Sequence, residues 1–115
     1  MAVSAQATGT TTPVVGTENF IQNVAVAGTF TLHVDLSPML AGDTLELRIY
    51  QMVLTGGTAR VAYLGSYFGA PSADNSIAIS VPISNELTDA QSLRFSILQR
   101  LGIARAYPWK ILRYA

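Results

Sequence analysis

The chain has 115 residues, and only 12% of them are charged, against about 25% in an ordinary soluble domain. Seven basic and seven acidic side chains give a formal net charge of zero. This composition excludes an intrinsically disordered chain and a nucleic-acid binder held by an overall basic surplus, and the length fits one domain. The chain has no cysteine, which excludes disulfides, a thiolate nucleophile and cysteine-ligated metal.

The first 17 residues are small, β-branched or polar and carry no charged side chain. This predicts an N-terminal arm over residues 1–17, followed by a β-sandwich domain over residues 18–115. An isolated arm of this kind would be disordered, so we expect its own domain or a neighbouring subunit to hold it. The stretch lacks the features of a signal peptide, and no run reaches the ~20 apolar residues of a membrane helix.

From residue 20 onward the hydrophobic pattern has a period close to two, which is typical of strands. Gly56 and Gly57 predict a hairpin, Pro82 predicts an edge strand, and residues 37–43 and 85–92 are each compatible with one helical turn. The predicted strands cover residues 20–26, 29–36, 44–50, 60–68, 77–83, 93–97 and 105–114.

Seven strands, or eight with the arm, predict an all-β antiparallel sandwich or small barrel. Both a jelly-roll and an immunoglobulin-like arrangement fit this pattern, because the strand order does not follow from the sequence.

The sequence contains one histidine, His33, which lies two residues from Asp35 and on the same face of its strand. The pair could act in acid–base chemistry or bind a metal, but no second histidine or cysteine completes a site, so a surface pair is the favoured interpretation. Residues 64–69 lack the second glycine of a nucleophile elbow, and no phosphate-binding glycine loop is present. We therefore expect a protein that is not an enzyme and that uses no cofactor or metal.

Charge is distributed unevenly along the chain. Residues 1–47 contain four acids and no base, whereas residues 90–115 contain five bases and no acid. An acidic N-terminal half could therefore meet a basic C-terminal strand of another copy. Together with the low charge, this predicts an obligate homo-oligomer, either a trimer or part of a larger lattice.

The last strand combines arginine with aromatic residues, the types that are enriched in interface hot spots. Trp109 could equally be the core tryptophan of a sandwich, and a basic, aromatic strand could bind single-stranded nucleic acid, which we consider the weaker alternative. The predicted contacts with a partner or a second copy are Val3, Thr12, Pro13, Arg105, Tyr107, Trp109, Arg113 and Tyr114.

Three stretches, residues 43–50, 55–63 and 104–110, resemble small proteins encoded among the structural genes of tailed bacteriophages and prophages. The resemblance implies a virion component, made in the host cytoplasm. More specifically, it implies a capsid decoration (cement) protein that binds and stabilises the shell of the major capsid protein. A tail or baseplate component is an alternative within the same class. From the net charge and the lack of a long apolar run we expect no membrane partner, and nucleic acid only as the weaker alternative.

A different class of function is also compatible with the sequence. A carbohydrate-binding or adhesion module would use Tyr63, Tyr67, Tyr107 and Trp109 to stack on sugars, provided that these side chains are exposed.

Overall fold

A computed structural model describes residues 2–114, which form nine β-strands and no helix, so the predicted all-β class is confirmed. The strands are β1 (Val3–Thr11), β2 (Glu18–Val24), β3 (Gly28–Asp35), β4 (Thr44–Gln51), β5 (Arg60–Phe68), β6 (Ile77–Ile79), β7 (Ile83–Asn85), β8 (Leu93–Leu101) and β9 (Tyr107–Tyr114).

Two antiparallel sheets pack together as a sandwich. Sheet A has the order β1-β9-β3-β6, with β7 also paired to β3, and sheet B has the order β2-β8-β4-β5. β9 occupies one edge of β3, so β6 and β7 share the other edge, where they act as one interrupted strand. With β6 and β7 counted as one, this is the strand order of an eight-stranded jelly roll. The described strands do not close into a barrel.

The core lies between the inner faces of the central strands, as the period of two predicts. Alternate side chains of β3, β4, β8 and β9 point inward and are almost completely buried. These are Phe30, Leu32, Val34, Leu45, Leu47, Ile49, Leu93, Phe95, Ile97, Tyr107, Trp109 and Ile111.

The segment that its composition sets apart as an arm is the edge strand β1, paired antiparallel with β9. A Cβ atom on Gly9 would lie 2.8 Å from Cζ2 of Trp109, and Trp109 Nε1 donates a hydrogen bond of 2.9 Å to Thr11 Oγ1. The small residues of β1 therefore make room for a large ring of the neighbouring strand, and residues 3–11 belong to the sandwich.

The predicted strand over residues 77–83 is interrupted at Ser80. Ser80 N donates to Leu32 O at 2.9 Å, and the Ser80 hydroxyl accepts a 2.9 Å hydrogen bond from Leu32 N. The side chain thus takes the place of a backbone carbonyl where the chain leaves the regular ladder, two residues before Pro82, which has no N–H.

The two predicted helical turns are absent, and both segments are loops. Residues 36–43 instead contain two tight turns, closed by Met39 N to Leu36 O (2.9 Å) and Asp43 N to Leu40 O (3.1 Å). The antiparallel pairings place the β1–β2, β3–β4, β5–β6 and β8–β9 loops together at one end of the sandwich, which we call the four-loop end.

Candidate interaction surfaces

A buried carboxylate holds the four-loop end together. The Asp43 side chain accepts hydrogen bonds from Leu40 N (3.0 Å) and Arg105 Nε (2.6 Å) through Oδ2, and from Ile103 N (3.2 Å) through Oδ1. Gly102 has φ +97°, and a Cβ atom there would collide with Asp43. Burial raises the pKa of Asp43, but the hydrogen bonds from Arg105 and from the two backbone amides outweigh it, so the pKa is lowered overall. This cluster orders the loops of its own chain.

The outer face of sheet B carries a network of ion pairs. Arg48 Nη2 contacts Glu46 Oε1 at 2.8 Å, and Arg100 Nε contacts Glu46 Oε2 at 2.5 Å. Tyr50 donates its hydroxyl proton to Glu18 at 2.7 Å, and Arg48 lies 3.7 Å from the same carboxylate. With Asp43, three of the four acids among residues 1–47 therefore pair with arginines of the same chain. Most of the early acids are therefore balanced within one copy, and two of the five bases of residues 90–115, Arg100 and Arg105, take part.

His33 lines a shallow groove of about 380 Å³ on the outer face of sheet A, together with Asp35 and Lys110. Its Nε2 lies 2.8 Å from Thr31 Oγ1, but Thr31 is buried and Nδ1 has no hydrogen-bond partner among residues 2–114. Burial lowers the pKa of His33 and the charge of Lys110 lowers it further, and both effects favour the neutral ring. Among the described residues, His33 therefore has no accessible nucleophile beside it and no further side chain that orients its ring, and nucleophilic catalysis requires both.

Within residues 2–114, no three histidine, aspartate or glutamate side chains come close enough to hold a metal ion. The same part of the chain contains no helix with the length and hydropathy that a membrane crossing requires.

The predicted contact residues of the last strand are engaged within the chain. Tyr107 is fully buried and Trp109 is 9% exposed, so both side chains belong to the core. Arg105 binds Asp43, and Arg113 donates two hydrogen bonds, of 2.7 and 3.0 Å, to Ala27 O. These side chains stabilise the fold rather than project from it.

The other predicted contacts differ in exposure. Val3 and Thr12 are exposed, at the start and just beyond the end of β1, whereas Pro13 is buried. Tyr114 is half-buried on the outer face of sheet A, where its hydroxyl lies 3.2 Å from Thr31 Oγ1. The eight predicted residues therefore do not form one surface.

Three of the four sheet edges have almost no charged residues, a feature that the division of the sequence into an acidic and a basic half does not reveal. β1, β6 and β7 contain no charged residue, and β5 contains only Arg60, at its first position. On the outer face of β5, Val61, Leu64 and Phe68 are 49%, 53% and 74% exposed. Edge strands of soluble proteins are usually protected by lysine, proline or inward-pointing charges. The signal is readable in the sequence as the run of residues 61–73, which has no charge.

Comparison of the chain with protein-family models, with curated proteins and with solved structures finds no match.

Proposed function

We propose that this chain is a non-enzymatic structural protein that functions as a homo-oligomer in a larger assembly. The observation that carries the proposal is the pair of long edge strands, β1 and β5, each of nine residues, of which β1 has no charged residue and β5 has only Arg60. A free edge presents unpaired backbone donors and acceptors, and exposed apolar side chains on β5 add to its tendency to associate. Edges with so little charge to prevent such association are best explained if other protein covers them in the working state.

Within this class we propose a virion component, specifically a decoration protein on the shell of the major capsid protein. The support is the resemblance of residues 43–50, 55–63 and 104–110 to small structural proteins of tailed phages. The jelly roll is compatible with this role, since viral capsid proteins use it, but so do lectins, and a fold alone does not decide a function.

The carbohydrate-binding alternative requires exposed aromatic platforms. Of the four side chains that the sequence offers for it, Tyr107 and Trp109 lie in the core, and Tyr63 and Tyr67 are partly buried against it. The structural role therefore has the stronger support.

The test is the composition of virus particles produced by a host that carries this gene. A decoration protein should co-purify with the particles in a fixed ratio to the major capsid protein, and particles from a deletion strain should lose their genome at a lower temperature. A few copies per particle would indicate a tail or baseplate location instead. Particles that contain none of this chain would overturn the proposal.

A further inference from the structure

We propose that two copies of this chain associate through β5, paired antiparallel to β5 of the second copy, so that the two B sheets join into one continuous sheet. The inference rests on the proposed function and names the contact through which the homo-oligomer forms.

The backbone of β5 offers a regular template. Among the described strands, β5 is hydrogen-bonded to β4 alone. Its pairing with β4 is interrupted at Ala62, where Tyr50 faces Val61 and Ile49 faces Tyr63, and is regular from Tyr63 to Phe68. Alternate N–H and C=O groups along this stretch point away from β4 and are available to a strand from another chain. Addition of a strand to an exposed sheet edge is a common mode of recognition.

The side chains of β5 complement a second copy of the same strand. Leu64 and Phe68 lie on its outer face, opposite Arg48 and Thr44 of β4. Antiparallel pairing about a two-fold axis near Gly65 places Leu64 of one copy diagonal to Leu64 and Phe68 of the other, on the same face of the joined sheet. Cross-strand neighbours at these separations interact directly.

Charge favours self-association over a charged partner. Arg60 is the only charged residue of β5, and it makes no ion pair within residues 2–114. In a parallel arrangement the two Arg60 side chains would be neighbours. In the antiparallel arrangement they lie at opposite ends of the contact, so the two positive charges do not repel each other across it.

The other edges are less suited to this role. β2, the second edge of sheet B, carries Glu18 in the ion-pair network, and its pairing with β8 is interrupted between Phe20 and Gln22. The pairing of β1 is interrupted in its middle, between Ala5 and Ala7, and its one large exposed apolar side chain is Val3. The edge formed by β6 and β7 is broken at residues 80–82. A two-fold contact through β5 builds dimers, so the basic unit proposed here contains two copies rather than the three expected from the sequence.

The first experiment compares two matched variants by sedimentation equilibrium. Leu64→Glu places a carboxylate on the β5 edge opposite Arg48, and Ser4→Glu places one on the β1 edge opposite Arg113. Both positions are exposed and both face an arginine, so circular dichroism and the melting temperature should show folded chains.

The wild-type chain should sediment at twice 12.3 kDa at micromolar concentration. Leu64→Glu should raise the dimer dissociation constant about 100-fold or more, because like charges meet at the axis. Ser4→Glu should leave the constant unchanged. A monomeric wild type would contradict the proposal, as would dissociation by Ser4→Glu but not by Leu64→Glu.

A second experiment uses the absence of native cysteine. Ser66→Cys places one thiol on the outer face of β5, near the proposed axis, and Ser4→Cys is its control on β1. A short bifunctional thiol cross-linker should join the first variant rapidly and the second slowly, because the two introduced thiols of the first variant lie on one face with Cα atoms about 8 Å apart across the axis, a span beyond the ~7 Å of a direct disulfide. Equal rates for the two would contradict the β5 contact.

These outcomes are separable from a failure of the proposed function. A monomeric chain that still co-purifies with virus particles would overturn the β5 contact and the homo-oligomer, but not the virion role. A β5 dimer that is never found on particles would overturn the virion role alone.

Discussion

Asp43 is the residue on which the four-loop end depends most. It is buried, it accepts three hydrogen bonds, and one of its donors is the guanidinium of Arg105, 62 positions away in the sequence. Removing one partner of a buried pair leaves the other uncompensated, which is far more destabilising than losing a surface pair.

We predict that Asp43→Asn lowers the free energy of unfolding by about 3 kcal/mol, because the amide keeps the size of the side chain but loses the charge that binds Arg105. Urea unfolding monitored by fluorescence measures the change. Asp74→Asn, in the exposed β5–β6 loop, is the control and should have no measurable effect. Equal losses in both variants would contradict the role given to Asp43.

The same carboxylate predicts an acid-sensitive stability. Its pKa in the folded state is lowered from 3.8, so the unfolded state binds the proton more tightly. The stabilisation is fully present above the unfolded pKa and is lost as the pH falls through the folded pKa. The difference in unfolding free energy between wild type and Asp43→Asn should therefore be largest near neutral pH and shrink below pH ~4. A difference that is constant from pH 7 to pH 3 would contradict this account.

The pKa of His33 can be measured by NMR without resonance assignment, because His33 is the sole histidine. Its imidazole proton resonances should titrate with a pKa below 6.5, mainly because the ring is partly buried and secondarily because Lys110 is near. Lys110→Gln should raise the pKa without restoring it fully to 6.5. Since the unfolded state binds the proton more tightly, stability should fall as the pH drops through about 6.5, and His33→Gln should weaken this dependence. A pKa above 6.5 would contradict the burial argument.

At the scale of the elements, β1 depends on the absence of a side chain at Gly9. We predict that Gly9→Val destabilises the domain by about 1–3 kcal/mol, because the added carbons overlap the indole of Trp109. Emission from Trp109, the single tryptophan, should shift to longer wavelength as β1 separates from β9.

Thr8→Val is the matched control for Gly9→Val, since Thr8 is an exposed neighbour on β1 with a side chain of the same shape as valine. It should leave both the emission and the stability unchanged. An unaltered spectrum for Gly9→Val would show that β1 does not pack on Trp109.

At the scale of the whole molecule, the internal ion pairs change the kind of oligomer contact to expect. A contact between an acidic and a basic surface would weaken with salt, because exposed charges are screened within about 8–10 Å at physiological ionic strength. A contact made by the β5 backbone and apolar side chains should not weaken with salt, because it contains few charges to screen.

We therefore predict that the dimer dissociation constant changes less than about threefold between 50 mM and 500 mM sodium chloride, because screening acts on charges and the contact contains few. Sedimentation over a salt series measures the constant. A steep rise with salt would favour the charge-based contact that the sequence alone predicts.

The sequence by itself determined the all-β class, the approximate extent of most strands and the inward-facing residues of β3, β4 and β8. All of these follow from the period of two and from local turn chemistry. Only the tertiary structure decided the jelly-roll strand order and made an edge strand of the predicted arm. It also placed Tyr107 and Trp109 in the core and paired Asp43 with Arg105. These features depend on residues far apart in the chain, whose proximity no local pattern encodes. The zero net charge shows the difference. The sequence presents it as two separated halves, whereas in the fold three of the four early acids meet arginines of the same chain and the long edge strands β1 and β5 contain a single charged residue between them.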